Sequence, residues 1–254
     1  MPRLVTAFSN TTAKRLRSLR DKKARREEGL FLAEGLRIIA EARDSGRLPE
    51  IVMFSAEGAR HKLATEIIDA TEAAGGEAIE TTPDILSKTS GKDNPQMLVA
   101  AYRQPDTNLA QVDRTRAPLW FVAQALRDPG NIGTILRTGD AVGAGGLILV
   151  DDSADPYSVE AVRASMGAIF TQAVAKAPWG EFVGWLRSGP GQLVGTSLQT
   201  DKDYLAARYG KPCFLLIGNE QQGLPEEYEA QCDTLVKIPM AGRAHSLNAA
   251  IAAA

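Results

Sequence analysis

Cysteine is scarce in this sequence of 254 residues, which contains two, Cys213 and Cys232. Two cysteines are too few for a disulfide framework or a cysteine-rich metal site, and neither has an obvious base partner for nucleophilic catalysis. No apolar run approaches the roughly 20 residues that cross a bilayer, and the N-terminus lacks the apolar core of a signal peptide. These absences argue against a disulfide scaffold and a membrane protein, and they favour a cytoplasmic setting.

Histidine is equally scarce, with His61 and His245 as its two occurrences. His61 falls in a predicted amphipathic helix, where a solvated side chain is the simpler interpretation. His245 falls in a polar loop, where a surface side chain is favoured over an acid–base role. We predict no metal site.

The charge of the chain is unevenly distributed. Residues 14–26 contain eight basic residues and one acidic residue, a net +7, whereas the whole chain is at −2, so the remainder carries −9. A cationic block on an acidic body indicates a polyanionic partner; the alternative is a solvated helix face. The candidate binding residues are Arg15, Arg17, Arg20, Lys22, Lys23, Arg25 and Arg26.

Short apolar segments alternate with helical patterns in two regions. The first region has predicted strands at residues 30–32, 51–54, 78–80 and 97–102. The second has predicted strands at residues 119–123, 147–150, 192–195, 213–217 and 235–238. This alternation predicts an α/β fold, with a mainly parallel sheet in the second region.

A polar, proline-containing stretch separates the two regions. We therefore predict a small α/β domain over residues 1–104, with a basic helix at 10–27. A linker follows at 105–117, and the second α/β domain covers 118–254.

Three loops of the second region follow a strand and precede a helix, the position at which open α/β sheets bind ligands. The first, D-P-G-N-I-G, contains Asn131 and leads to Arg137 nearly two helical turns later. On its own it is explained by a turn, a helix cap and a surface charge.

The second loop, I-G-N-E-Q-Q-G-L, places Gly218 directly after a buried strand, where a ligand could approach the backbone closely. Glu220 in the same loop could bind a hydroxyl, an amine or a cation. The third loop, I-P-M-A-G-R-A-H-S-L-N, places Ser246 and Asn248 at the start of an apolar helix, where both are good helix caps.

Taken together, the three loops resemble a known family. The segments D-P-G-N-I-G-T-I-L-R-T, L-L-I-G-N-E-Q-Q-G-L and V-K-I-P-M-A-G-R-A-H-S-L-N-A-A-I-A are similar to the three signature motifs of the SpoU (TrmH) branch of the SPOUT RNA methyltransferases. Residues 162–168, V-R-A-S-M-G-A, match a further block of that family. The basic helix and the following G-L-F-L-A-E-G-L-R-I-I resemble the RNA substrate-binding domain often fused in front.

The resemblance implies a SPOUT α/β domain with a deep trefoil knot near the C-terminus, a rare exception among folds. It implies S-adenosylmethionine as cofactor, S-adenosylhomocysteine as product, and methyl transfer to a ribose 2′-hydroxyl of RNA, with ribosomal RNA of the 23S type as the expected substrate. It also implies a homodimer whose active site lies near the subunit interface.

The resemblance further assigns residues by their motif positions. The implied cofactor-binding residues are Thr196, Gly218, Ile238, Met240, Ser246 and Leu247. The implied catalytic residues are Asn131, Arg137, Glu220, Ser246 and Asn248. Because arginine stays charged in proteins, we expect Arg137 to act as a fixed cation rather than as a base.

The sequence departs from the family pattern near its end. Ala249-Ala250-Ile251 stands where Val-Ser-Val is common, and His245 stands where an acidic residue is frequent. Family members usually continue the last helix further, so we expect a truncated final helix here, with reduced stability or weaker cofactor binding.

Three alternatives remain. The substrate could be transfer RNA, or the chain could be a catalytically silent RNA-binding or ribosome-assembly protein with the same fold. A nicotinamide-dependent enzyme would rest on Gly143, Gly145 and Gly146. These glycines follow a helix and precede a strand, the reverse of the dinucleotide-binding order, which argues against it.

Overall fold

The structure, a computed structural model, describes residues 2–219, 222–242 and 246–254. The chain forms two compact units, Met1–Pro105 with Tyr157–Thr171, and Asp106–Pro156 with Gln172–Ala254. The first unit therefore contains a segment from the middle of the sequence. Within the described ranges, no helix is long and apolar enough to cross a membrane.

The first unit contains a five-stranded sheet flanked by helices. Its strands are β1 (Arg3–Val5), β2 (Leu30–Glu34), β3 (Ile51–Ser55), β4 (Glu77–Thr81) and β5 (Leu98–Arg103). They lie in the order β1-β4-β3-β5-β2; β1, β4 and β3 are parallel, and β5 is antiparallel to β3 and β2. The helices are α1 (Thr11–Ser18), α2 (Lys22–Glu28), α3 (Leu36–Asp44), α4 (Lys62–Ala73) and α5 (Pro83–Ser90).

The basic segment forms two helices, so the prediction of one basic helix at 10–27 is wrong. Asn10 begins α1 by accepting hydrogen bonds from the backbone N–H groups of Thr12 and Ala13. Asp21 has an extended backbone and caps α2 by accepting from the N–H of Lys23 at 2.8 Å. Because the Asp21 side chain accepts a hydrogen bond from a backbone N–H that follows it, it caps the N-terminus of a second helix, and the first helix ends before it. Leu16 and Leu19 are fully buried and dock the segment on the core.

The second unit contains a six-stranded sheet in which every pair of neighbouring strands is parallel, which confirms the predicted mainly parallel sheet. The strands are β6 (Leu119–Gln124), β7 (Gly146–Val150), β8 (Ala173–Ala177), β9 (Gln192–Thr196), β10 (Cys213–Ile217) and β11 (Thr234–Val236). Their order is β11-β9-β10-β6-β7-β8. The remaining helices are α6 (Pro129–Val142), α7 (Val159–Ser165), α8 (Trp179–Arg187), α9 (Glu226–Glu229) and α10 (Ala249–Ala253), of which α7 belongs to the first unit.

The predicted linker is packed onto the second unit. Arg114 donates hydrogen bonds to the backbone carbonyls of Leu186 and Trp185 at 2.9 and 2.5 Å, and thereby caps the end of α8. Its guanidinium lies 3.9 Å from the centre of the Trp185 ring. Leu109 in the same stretch is 2% exposed. Residues 106–117 are thus held by hydrogen bonds and burial.

The segment Tyr157–Thr171 packs in the first unit through an aromatic cluster and an ion pair. The Tyr157 ring lies 5.1 Å from that of Phe31, and the Phe170 ring lies 4.6 Å from that of Tyr102. Arg163 of α7 donates to the Glu34 carboxylate at 3.0 Å. The block at 162–168 therefore contributes to the core of the first unit.

Candidate functional site

The strand order of the second unit brings several loops to one edge of the sheet. From β6 the chain proceeds to β7 and β8 on one side, and it then returns to β9, β10 and β11 on the other. Since these strands are parallel, the loops after β6, β9, β10 and β11 meet at their carboxyl ends. This is the switch point at which open α/β sheets bind ligands.

A cavity of about 860 Å³ opens at this edge. Its walls come from the loops that follow β9, β10 and β11 and from the start of α10. It is lined by all six residues predicted to bind a cofactor, Thr196, Gly218, Ile238, Met240, Ser246 and Leu247. The structure thus brings together residues that are spread over 52 positions of the sequence.

The lining of this larger cavity combines apolar side chains with negative charge. Ile217, Leu224 and Ile238 contribute apolar surface, and Glu226 and Glu229 on α9 contribute carboxylates. No lysine or arginine lines it among the described residues. A ligand with both an apolar part and a positive charge suits such a surface.

Gly218 is required by the loop itself. A Cβ atom at this position would lie 2.4 Å from the carbonyl carbon of Gly223 and 2.5 Å from the backbone nitrogen of Leu224. The loop folds back here because Gly223 adopts a φ of +69° and donates its N–H to the Asn219 carbonyl at 2.9 Å. Any side chain at 218 would therefore push the loop apart.

A second, smaller cavity of about 500 Å³ adjoins the first. Both cavities are lined by Asn219, Gln222 and Gly223, which form a shared wall. The smaller cavity is lined in addition by Gln124, Ala125, Arg127, Asp128, Asn131, Pro225 and Asn248. Two of the predicted catalytic residues, Asn131 and Asn248, therefore lie together beside the larger cavity.

Polar contacts fix the loops around the smaller cavity. The Asn219 side chain donates to the Ala125 carbonyl at 2.9 Å and fastens the loop after β10 to the loop after β6. Asn248 caps α10 by accepting from the N–H of Ala250 at 2.9 Å. Asp128 caps α6 by accepting from the N–H of Gly130 at 2.7 Å. Sequence reasoning missed Asn219 as a site residue, although it lies inside the second motif.

Arg137 lies outside both cavities. It is exposed on α6, six residues after Asn131, and hence about 9 Å further along the helix axis. Neighbouring residues Ile135 and Leu136 are buried, so Arg137 occupies the solvent side of the helix. Glu220, His245 and their neighbours Gln221, Arg243 and Ala244 lie outside the described residues. The single chain thus groups Asn131, Ser246 and Asn248 around the two cavities and leaves Arg137 at the surface.

The predicted polyanion-binding residues divide into two kinds. Six of the seven are exposed: Arg15, Arg17, Arg20, Lys22, Lys23 and Arg26. Arg25 is 3% exposed and donates to the carbonyls of Leu19 and Arg20 at 2.9 and 2.8 Å. It therefore joins α1 to α2, and its inclusion among the binding residues was wrong because its guanidinium is turned inward.

Cys213 is buried and Cys232 is partly buried. Burial raises the pKa of Cys213 to about 11. Burial, with the carboxylates of Asp233 and Glu229, raises the pKa of Cys232 to about 12. Both thiols are protonated at neutral pH, as expected of packed cysteines rather than nucleophiles.

Comparisons with known proteins support the resemblance found in the sequence. The SpoU rRNA Methylase family model matches residues 118–254, and the MRM3-like substrate binding domain matches residues 10–100. The chain is 34% identical over 242 residues to the 23S rRNA (uridine(2479)-2′-O)-methyltransferase of Streptomyces viridochromogenes, with 92% of this chain and 83% of the relative covered. It is 29% identical to the 23S rRNA (guanosine(2553)-2′-O)-methyltransferase RlmP of Bacillus subtilis, with 98% and 96% covered.

A solved structure gives the same result for the fold. The AdoMet-bound rRNA methyltransferase from Sinorhizobium meliloti superposes with a TM-score of 0.91 at 38% identity. The match covers 99% of this chain and 94% of that one. Both units of the chain are therefore represented in a protein of the same architecture.

The close contact at Gly218 yields a test of the site. We expect Gly218→Ala to lower the free energy of unfolding by about 1–3 kcal/mol, because the added Cβ meets backbone rather than a movable side chain. Gly184→Ala in α8 is the control, since a Cβ there meets nothing within 4 Å, and we expect it to be neutral or slightly stabilising. Urea unfolding measures both. Equal midpoints for Gly218→Ala and the wild type would contradict the close packing described for this loop.

Proposed function

Because the chain belongs to the SpoU rRNA methylase family, we propose that it transfers the methyl group of S-adenosylmethionine to a ribose 2′-hydroxyl of 23S ribosomal RNA. The observation that carries this proposal is the pair of adjoining cavities at the carboxyl edge of the parallel sheet. One cavity suits the cofactor and the other the acceptor nucleotide.

The larger cavity fits S-adenosylmethionine by its chemistry. The cofactor carries positive charge on its sulfonium and amino groups, and Glu226 and Glu229 supply negative charge. Ile238, Met240 and Leu247 offer apolar surface for an adenine ring. Transfer of the methyl group from a sulfonium leaves neutral S-adenosylhomocysteine, so the leaving group needs no acid.

The smaller cavity is proposed to hold the acceptor ribose. Asn131 and Asn248 line it, and its wall of Asn219, Gln222 and Gly223 separates it from the larger cavity. A ribose against that wall would have its 2′-hydroxyl beside the methyl group. Such positioning supplies several kcal/mol of the barrier reduction, up to about 7–11 in the best-oriented cases.

Arg137 is proposed to serve as a fixed cation. It stays protonated, so it can bind an RNA phosphate, and across the interface of the homodimer proposed below it can stabilise the alkoxide on a ribose held by the second copy. Arg137 is exposed on α6, so a phosphate of a long RNA can reach it, and this supports the proposed role. Ser246 and Glu220 are proposed to complete the polar surroundings of the ribose.

The two sequence regions are proposed to have different functions. Residues 1–104 bind RNA through the exposed cations of α1 and α2, and residues 118–254 carry out methyl transfer in the cytoplasm. The trefoil knot implied by the family stays a prediction, since the path of the chain there includes residues outside the described ranges.

A homodimer is proposed from the exposed apolar side chains of two packed helices. Val142 on α6 and Ile251 on α10 are 58% and 59% exposed, and the two helices contact each other. A second copy would cover these side chains and would bring Arg137 near the interface.

Light scattering tests the dimer. We expect a mass of twice the chain's 27.2 kDa, and a shift toward monomer in Ile251→Glu, because a buried charge opposes association. Leu205→Glu is the control, since Leu205 is also exposed but lies on neither helix. A monomeric wild type at all concentrations would refute the dimer.

Methylation itself is tested with labelled S-adenosylmethionine and with 23S ribosomal RNA or transfer RNA as acceptor. We expect label on 23S RNA, and we expect Arg137→Ala to lower kcat by roughly 100- to 1,000-fold, the effect of removing one group that stabilises an oxyanion. Arg208→Ala is the control, because Arg208 is exposed and lines neither cavity.

Calorimetry separates the enzyme from the silent alternative. We expect Arg137→Ala to bind S-adenosylmethionine as tightly as the wild type, since Arg137 does not line the larger cavity. A wild type that binds RNA but neither binds S-adenosylmethionine nor labels RNA would favour a silent RNA-binding protein. Label on transfer RNA alone would favour the other substrate.

The exposed cations of α1 and α2 give a separate prediction. Replacing Arg17, Arg20, Lys23 and Arg26 by glutamine should weaken RNA binding and reduce the slope of log K against log salt by about 0.7 to 0.9 for each phosphate that the variant no longer neutralises. Binding titrations between roughly 50 and 200 mM salt measure this effect. An unchanged slope would mean that these side chains only solvate a helix face.

A further inference from the structure

The side chain of Gln124 is mostly buried, and its amide forms no hydrogen bond with the described residues. Gln124 ends strand β6 and is 9% exposed, and no described residue forms a hydrogen bond with its side chain. A glutamine amide offers two donors and two acceptor lone pairs. The amide nitrogen and oxygen of Gln124 are not sealed from solvent, unlike the side-chain oxygen of Gln172, so they are available to a ligand.

Gln124 lines the smaller cavity and does not line the larger one. The volume of about 500 Å³ lies within the range of about 300–1,000 Å³ typical of small-molecule sites. The open amide and the cavity therefore coincide at the end of the central strand.

Most other polar groups around the smaller cavity are already engaged. Asn219 donates to the Ala125 carbonyl, Asn248 caps α10 and Asp128 caps α6. Arg127 forms an ion pair with Asp152. Gln222 is exposed to solvent on the shared wall. Gln124 is thus a buried group whose hydrogen-bonding capacity remains for a ligand.

The position of the shared wall decides which part of a nucleotide meets Gln124. If the proposed function holds, the ribose lies against Asn219, Gln222 and Gly223, where the methyl group arrives. The base then extends away from that wall, toward residues that line the smaller cavity alone. We propose that the Gln124 amide binds the edge of the acceptor nucleobase and thereby selects which nucleotide is methylated.

The chemistry of base edges fits an amide. Each base presents donors and acceptors side by side, and an amide can pair with such an edge through two hydrogen bonds. Because Gln124 is buried, a base inside a duplex cannot reach it, so the acceptor must be unpaired or flipped out of its helix. The substrate class is therefore a nucleotide in a single-stranded or extruded position.

The test replaces the amide by an apolar side chain of similar length. For Gln124→Met we expect kcat/KM for 23S RNA to fall roughly 10- to 100-fold, as when a pair of hydrogen bonds to a ligand is removed. The Kd for S-adenosylmethionine should not change. The melting temperature should change little, because the Gln124 amide forms no hydrogen bond with the described residues.

Gln172→Met is the matched control. Gln172 belongs to the same unit, and its side-chain oxygen has no partner among the described residues, but it lines neither cavity. We expect it to leave kcat/KM and the choice of nucleotide as in the wild type.

Selectivity is read with 23S RNA transcripts that carry each of the four bases at the position methylated by the wild type. The wild type should prefer one base, Gln124→Met should reduce that preference at least about tenfold, and Gln124→Glu, which lacks the amide donors, should change its order. If Gln124→Met lowers the melting temperature, the base preference of Gln124→Glu on the same four transcripts tests the proposal instead.

Two outcomes overturn this proposal while the proposed function stands. One is a wild type that methylates all four transcripts equally well. The other is that the Gln124 variants keep the base preference of the wild type, or that their methylation rates fall only in proportion to their loss of melting temperature. A wild type that labels no RNA overturns the proposed function, and this proposal with it.

Discussion

The contact between Gly218 and the backbone of Gly223 and Leu224 is the constraint on which the site depends. It holds the end of β10 against Gly223 and Leu224, and Asn219, Gln222 and Gly223 line both cavities. Asn219 also ties the loop after β10 to the loop after β6. In the proposed function these shared residues would separate cofactor and acceptor by a single loop, which suits a direct transfer between them.

The sheet of the second unit could be predicted because its strands are short, apolar and separated by helices. Strand β8 was missed, since A-V-A-K-A holds one β-branched residue and resembles a helical segment as much as a strand. The break in the basic helix was missed for a local reason, because Asp21 acts there as a helix cap and not only as one charge among many. Hydrophobic periodicity does not report such capping contacts.

The candidate site could be predicted from the sequence only in part. Motif order was enough to gather Thr196, Gly218 and Ser246 around one cavity, but the second cavity arises from packing between loops. Arg25 and Arg26 are adjacent residues of one type, and tertiary contacts alone make the first structural and the second available. Gln124 ends an ordinary buried strand, so nothing in its surroundings along the chain distinguishes it.

The path of the chain also limits how the protein can be divided. It leaves the first unit at Pro105, returns at Tyr157 and leaves again at Thr171. A fragment cut where the SpoU family match begins, at residue 118, would carry Tyr157 and Phe170 without Phe31 and Tyr102, the rings against which they pack. Two aromatic side chains and one end of the Arg163–Glu34 ion pair would then face water. The proposed division of methyl transfer and RNA recognition between two regions of sequence therefore does not correspond to two separable pieces of protein.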